Sequence, residues 1–146
     1  MIGITFNGRL GNQLFQFYFF LYLKSTNRDK LVFFVNPNHS YIARYFDLGW
    51  YNVVLSKVAS LVTRFIPRII RFENVYPQNF FAPKEVQVKG NTIFHGYFQS
   101  DWYLKHATEH VLPNIKPTYR RQFKTSFGEI FRNHQTIAGH IRRTGY

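Results

Sequence analysis

The stretch Met1-Ile2-Gly3-Ile4-Thr5-Phe6-Asn7-Gly8-Arg9-Leu10-Gly11-Asn12-Gln13-Leu14-Phe15-Gln16-Phe17 decides the fold class. Ile2 to Phe6 reads as a short strand. Asn7 to Asn12 reads as a turn, in which Gly8 and Gly11 let the backbone bend sharply. From Gln13 to Lys24 the residues are apolar on nearly every side, which predicts a buried helix. A strand, a glycine turn and a helix in that order open an α/β unit.

Outward from there the alternation continues. Leu31 to Val35 is a run of apolar residues, the mark of a strand buried on both faces. Asn36 to Ser40 is turn chemistry, with Ser40 placed to cap a short helix through Phe46. Val54 to Phe72 has helical periodicity: Val54, Val58, Leu61, Val62, Phe65, Ile66, Ile69 and Ile70 fall on one side. Lys57, Arg64, Arg68 and Arg71 gather on the other, and read first as the solvated face of a packed helix. Pro67 is expected to kink or break this element. Tyr76 to Gly90 is polar with two prolines and reads as a loop. Thr92 to Phe98 reads as a strand leading into a helix capped by Ser100, Pro117 to Phe131 as a helix, and Thr136 to Ile141 as a last strand. The expectation is therefore a single α/β lobe over 1–146. A sheet that stops at a freshly laid strand reads as unfinished, so the chain is expected to be a fragment or a truncated product.

Composition narrows the function classes. Hydrophobic residues make up 45% of the 146 residues and aromatic residues 20%, which excludes a disordered chain. There is no cysteine, so no disulfide framework and no thiolate metal site can form; this fits a reducing compartment. The formal charge of +12 favours an anionic partner: nucleic acid, a lipid headgroup or a phosphorylated small molecule. The opening residues show no signal peptide, and the apolar run from Leu14 to Leu23 is short of the roughly 20 residues a spanning helix needs. The expected location is cytoplasmic or at a membrane surface.

Three constellations carry candidate chemistry. Gly8-Arg9-Leu10-Gly11-Asn12-Gln13 sits between strand and helix, where free N–H groups and the helix dipole attract anions, and Arg9 adds a fork of donors. The spacing is neither GxGxxG nor that of a P-loop. Gly96-Tyr97-Phe98-Gln99-Ser100-Asp101-Trp102-Tyr103 mixes aromatics with amide and hydroxyl groups, a combination suited to sugar rings. Its alternative reading is plain core packing with a Ser100 cap. His140-Ile141-Arg142-Arg143 closes a strand, and the carboxyl ends of strands are where open α/β sheets hold ligands. An arginine there can offset charge on a departing nucleotide. His106 and His110 have i, i+4 spacing but lack further ligands.

Together, in this order, the three segments resemble the α-1,2-fucosyltransferases of glycosyltransferase family eleven. Asn7 to Phe17 is similar to that family's N-terminal signature, Gly96 to Tyr103 to its middle block, and His140-Ile141-Arg142-Arg143 to the start of its HxRRxDY motif. The resemblance implies a Rossmann-like N-terminal lobe of a GT-B-type enzyme, with the C-terminal lobe missing from this chain. It implies transfer of L-fucose from GDP-fucose to a galactose 2-hydroxyl with inversion, with no cofactor and no essential metal. Gly8, Arg9, Gly11 and Asn12 would then lie by the donor, as would His140, Arg142 and Arg143. Arg142, Arg9 and Asn12 would act in catalysis. Gly145 stands where the motif has an acid. Asp29, Asp47, Glu73 and Asp101 are the carboxylates available as a general base. The competing readings are a non-enzymatic basic module that binds RNA or anionic membrane, and an inactive truncated relic.

Overall fold

The computed structural model describes residues 1–39, 41–48, 53–76, 83, 85–107 and 113–136, and only the backbone of Asn38 and of 53–60. Contacts divide the chain into two units, Met1–Asn114 and Ile115–Tyr146.

The first unit is α/β, around a four-stranded sheet in which every pairing is parallel. Its strands are β1 (Ile2–Ile4), β2 (Val32–Phe34), β4 (Glu73–Val75) and β5 (Thr92–Phe94), in the order β2-β1-β5-β4. Ile2 pairs with Val32 on one side and with Thr92 on the other. All three residues of β1, β2 and β5 are buried, which is why they read as unbroken apolar runs rather than as alternation. The two-residue strand β3 (Phe46–Asp47) lies outside this sheet.

Helix α1 (Leu10–Thr26) is the centre of the core. It begins inside the segment read as a turn. Arg9 already has extended backbone angles, and the Gln13 N–H reaches the Arg9 carbonyl at 3.1 Å, so only Thr5 to Arg9 separate strand from helix. Phe19 stacks on Phe98 at 3.9 Å and meets Phe94 and Tyr103 edge-on; Phe20 stacks on Phe34 at 4.7 Å. Burying each such ring stabilises the fold by about 1.5–3 kcal/mol. At the other end Asn27 closes the helix, its backbone and side-chain N–H groups both donating to the Leu23 carbonyl. Helix α4 (Trp102–His106) packs on α1 through Trp102 and Tyr103 against Tyr22. On the opposite sheet face a Cβ on Gly3 would stand 2.9 Å from Val35 and 3.0 Å from Ile93, so only glycine fits there.

The remaining elements of this unit are short, with one exception. A 3-10 turn at Pro37–His39 precedes helix α2 (Ile42–Tyr45). Ser40, expected to cap α2, lies outside the described residues. Helix α3 (Val53–Ile69) runs through Pro67 instead of breaking there. Pro67 sits in the last turn, where its missing N–H deprives only the Thr63 carbonyl, and the bond that closes the helix beyond it, Ile70 N–H to Ile66, is intact at 2.9 Å. Leu61, Val62, Phe65 and Ile69, the apolar side of α3, are exposed, whereas Thr63, Ile66 and Ile70 are half-buried.

In the second unit, helix α5 (Pro117–Asn133) starts at a proline whose fixed φ suits the first helical position. None of its residues is buried, and Phe123 contacts Phe127 and Phe131 along one side. Strand β6 (Asn114–Ile115), at the boundary of the two units, precedes it in the chain. Of the expected strand Thr136–Ile141 only Thr136 is described, and it is in no strand. Among the described residues no helix is long and apolar enough to cross a membrane.

Candidate functional site

Strand order reverses between β1 and β5. The chain leaves β1 through α1 to reach β2 on one side, and returns on the other side through β4 and β5. The crevice beyond the carboxyl ends of these two strands is where open α/β sheets hold ligands. Thr5 to Arg9 leave β1 there, and His95 to Ser100 leave β5 there.

The turn after β1 is built around Gly8, whose φ of +72° favours glycine. A Cβ at Gly8 would also stand 2.4 Å from the Asn12 amide nitrogen and 3.2 Å from the Tyr97 ring. Backbone, Asn12 and Tyr97 therefore close on one another at this point. Gln99 donates to the Asn12 side-chain oxygen at 2.8 Å, tying two segments 87 residues apart. Phe98 accepts a positive φ of 51° between them, held by its stack on Phe19. That backbone costs about 1–2 kcal/mol for a residue with a side chain.

Two buried glutamines of α1 fix the turn. Gln13 accepts from the N–H groups of Tyr41 (2.6 Å) and Ile42 (3.2 Å), and donates to the carbonyls of His39 (2.8 Å) and Gly8 (3.3 Å). Gln16 accepts from the Asn7 N–H at 3.1 Å and donates to the Gly96 carbonyl at 2.8 Å. Asn36 grips both backbone groups of Phe6, at 2.7 and 2.9 Å. The loops after β1, β2 and β5 are thus pinned to one helix by side-chain amides, each using both its donor and its acceptor.

The N-terminus of α1 stays open. Arg9 is its N-cap, is exposed, and makes no side-chain cap hydrogen bond, since a guanidinium has no acceptor. A Cβ at Gly11 would meet nothing within 4 Å. No N-cap side-chain bond covers the first N–H groups of α1, and the Arg9 cation stands beside them, an arrangement that attracts an anion. On the β2 side a cavity of about 250 Å³ is lined by Phe6, Asn7, Gly8, Gln13, Asn36, His39 and Tyr41. Full ligand pockets hold roughly 300–1,000 Å³, so this one is below the size of a complete drug-like ligand.

On the β5 side lies a polar chain absent from the expected site. Asn74, after the first residue of β4, meets His95 Nε2 at 2.8 Å; Thr5 Oγ1 meets His95 Nδ1 at 3.2 Å; Asn7 donates to Thr5 Oγ1 at 3.3 Å. With Asn74 Oδ1 accepting, the ring proton sits on Nε2. Burial pushes the His95 pKa below 6.5, so the ring is neutral at neutral pH. Tyr76 stacks on this imidazole at 4.6 Å and is exposed on its own outer side. The signal for His95 was its place directly after a three-residue buried strand.

Gly8, Arg9, Gly11 and Asn12 come together at the mouth of α1, and Tyr97 and Gln99 of the middle block join them. The N-cap of α4 is Asp101, not the expected Ser100, and it makes no side-chain cap bond; Ser100, one residue earlier, accepts from the Trp102 N–H through Oγ at 3.1 Å. His140, Arg142, Arg143 and Gly145 lie outside the described residues. Of the carboxylates, Asp29 and Glu73 stand at the amino-terminal edge of the sheet, away from the crevice. Asp101 pairs with Lys105, whose ammonium holds the carboxyl below its usual range. His106 is engaged with the Trp102 carbonyl and stacks on its ring; His110 is outside the described residues. Among the described residues no three potential ligands cluster to hold a metal ion.

Comparison of the chain with protein-family models, with curated proteins and with solved structures returns no match.

Proposed function

We propose that this chain is the N-terminal lobe of a GT-B-type fucosyltransferase that moves L-fucose from GDP-fucose to a galactose 2-hydroxyl with inversion. The observation that carries the proposal is the joining of the Gly8–Asn12 turn to the Gly96–Ser100 segment at the sheet's switch point. Gly8, Asn12, Tyr97 and Gln99 meet there beside an uncapped helix N-terminus. These are the two segments whose sequences resemble the family's first and middle blocks.

The chemistry follows from the residues. Displacement at the fucose anomeric carbon releases GDP, and its diphosphate gains charge as the bond breaks. Free amides of α1 and the Arg9 guanidinium offset that charge without reorganising. Gly8 and Gly11 keep the backbone bare so the phosphates can approach it. Asn12, oriented by Gln99, presents its amide to the donor. Arg142, His140 and Arg143 are assigned to the same diphosphate on the resemblance alone. The neutral His95 imidazole lies on the same edge, near where an acceptor hydroxyl would enter.

A transfer assay tests this directly. In an extended chain that supplies the second lobe, radiolabelled GDP-fucose and a galactose-terminated acceptor should yield an α-1,2-linked product, and GDP-mannose should yield none. Asn12→Ala should lower the rate on the order of tenfold or more, the usual cost of one polar contact to developing charge. Unchanged transfer in Arg9→Ala and Asn12→Ala would remove the site assignment.

A further inference from the structure

Helix α3 offers a second binding surface, on a different part of the same unit. At 3.6 residues per turn, Leu61, Val62, Phe65 and Ile69 fall within one arc of about 100°. They are 65%, 63%, 50% and 82% exposed, so the apolar stripe points to solvent. Packing uses the arc that adjoins the stripe on one flank: Thr63, Ile66 and Ile70 are half-buried, and the Thr63 hydroxyl donates to the Val35 carbonyl at 3.3 Å. Arg64 and Arg68 follow directly on the other flank of the stripe, both exposed, and Arg71 lies just past the helix end. Arg68 reaches over the Phe65 ring at 5.3 Å. The helix carries no acidic residue.

We infer that α3 lies on an anionic lipid surface, with Leu61, Val62, Phe65 and Ile69 in the acyl boundary and Arg64, Arg68 and Arg71 on the phosphates. The charges decide between occupants. The buried centre of a protein interface is depleted in charged residues, whereas an interfacial helix pairs an apolar stripe with a basic flank. Arginine stems can lie along the apolar stripe while their heads reach the headgroups. The net charge of +12 draws the whole chain to the same surface. This inference does not rest on the fucosyltransferase reading.

The test is flotation of the full chain with phosphatidylcholine vesicles, with and without 30% phosphatidylglycerol. The expected result is binding to the anionic vesicles that weakens in high salt, and little binding to the neutral ones. Each basic contact contributes on the order of fivefold in partitioning, so Arg64→Glu with Arg68→Glu should reduce binding at least about tenfold. Phe65→Asp with Ile69→Asp should reduce it as much, with an unchanged thermal melt because both residues are exposed. Wild-type chain that stays off the anionic vesicles overturns the inference. So does binding that survives both pairs of substitutions but is lost in Phe123→Asp with Phe127→Asp on α5. A wild-type dimer that ignores vesicles, made monomeric by Phe65→Asp with Ile69→Asp, assigns the face to self-pairing and also overturns it.

Discussion

Replacing Gln13 by leucine removes a clamp while keeping its volume. Gln13 is 1% exposed and holds four backbone groups, two through its oxygen and two through its nitrogen. Leucine fills the space and satisfies none of them. The Ile42 N–H is buried, and a buried donor left unpaired costs about 1–3 kcal/mol. The other three groups are partly reachable by water and lose about 0.5–1 kcal/mol each. Gln13→Leu should therefore destabilise the first unit by about 2–4 kcal/mol, after some return from the added apolar contact. With a mid-range urea slope of about 2 kcal/mol per molar, the midpoint followed by far-UV circular dichroism should fall by about 1–2 M. Gln99→Ala, which deletes one exposed bond, should leave it within about 0.3 M. If Gln13→Leu also stays within that margin, the glutamines do not hold the site and the clamp account fails.

Gly8→Ala meets both a positive φ and the Asn12 amide at 2.4 Å, so it should cost about 1–3 kcal/mol of stability and shift the Asn12 side-chain resonances in an NMR spectrum. Acid should expose the burial of His95. Its folded pKa lies below the unfolded 6.5, so the unfolded state binds the proton first and stability is lost as pH falls below about 6.5. His95→Gln should flatten the melting temperature in that window; an equally steep fall in the variant would refute the assignment. Phe19→Ala should cost about 3–5 kcal/mol in the same urea titration, because it empties the stack on Phe98 as well as the core.

What the sequence made legible follows from where the partners lie. β1, β2 and β5 are short apolar runs because both sheet faces are covered, and that pattern is local. The Gly8 turn and the Ser100 bond to the Trp102 N–H are local too. The clamps are not: Gln13 and Gln16 bond to groups 26 to 80 residues away as well as to the nearby turn, and in the sequence Gln16 reads only as a break in an apolar run. β4 escaped notice because Glu73-Asn74-Val75 is an edge strand with little apolar content. The Asn74–His95–Thr5 chain is assembled by that strand, so it was hidden with it. Helix α3 was legible as amphipathic, but periodicity alone assigns an apolar stripe to the core. Here Thr63 and Ile66 make the packing and the stripe faces outward.

The central claim is that the mouth of α1 binds a nucleoside diphosphate, and calorimetric titration with GDP tests it most directly. Wild-type chain should bind GDP saturably and guanosine far more weakly. Arg9→Ala should weaken GDP on the order of tenfold or more, the value of a charge-assisted hydrogen bond, while Lys24→Ala at the far end of α1 should change nothing. No saturable binding by the wild type, or equal affinity in Arg9→Ala, would contradict the account.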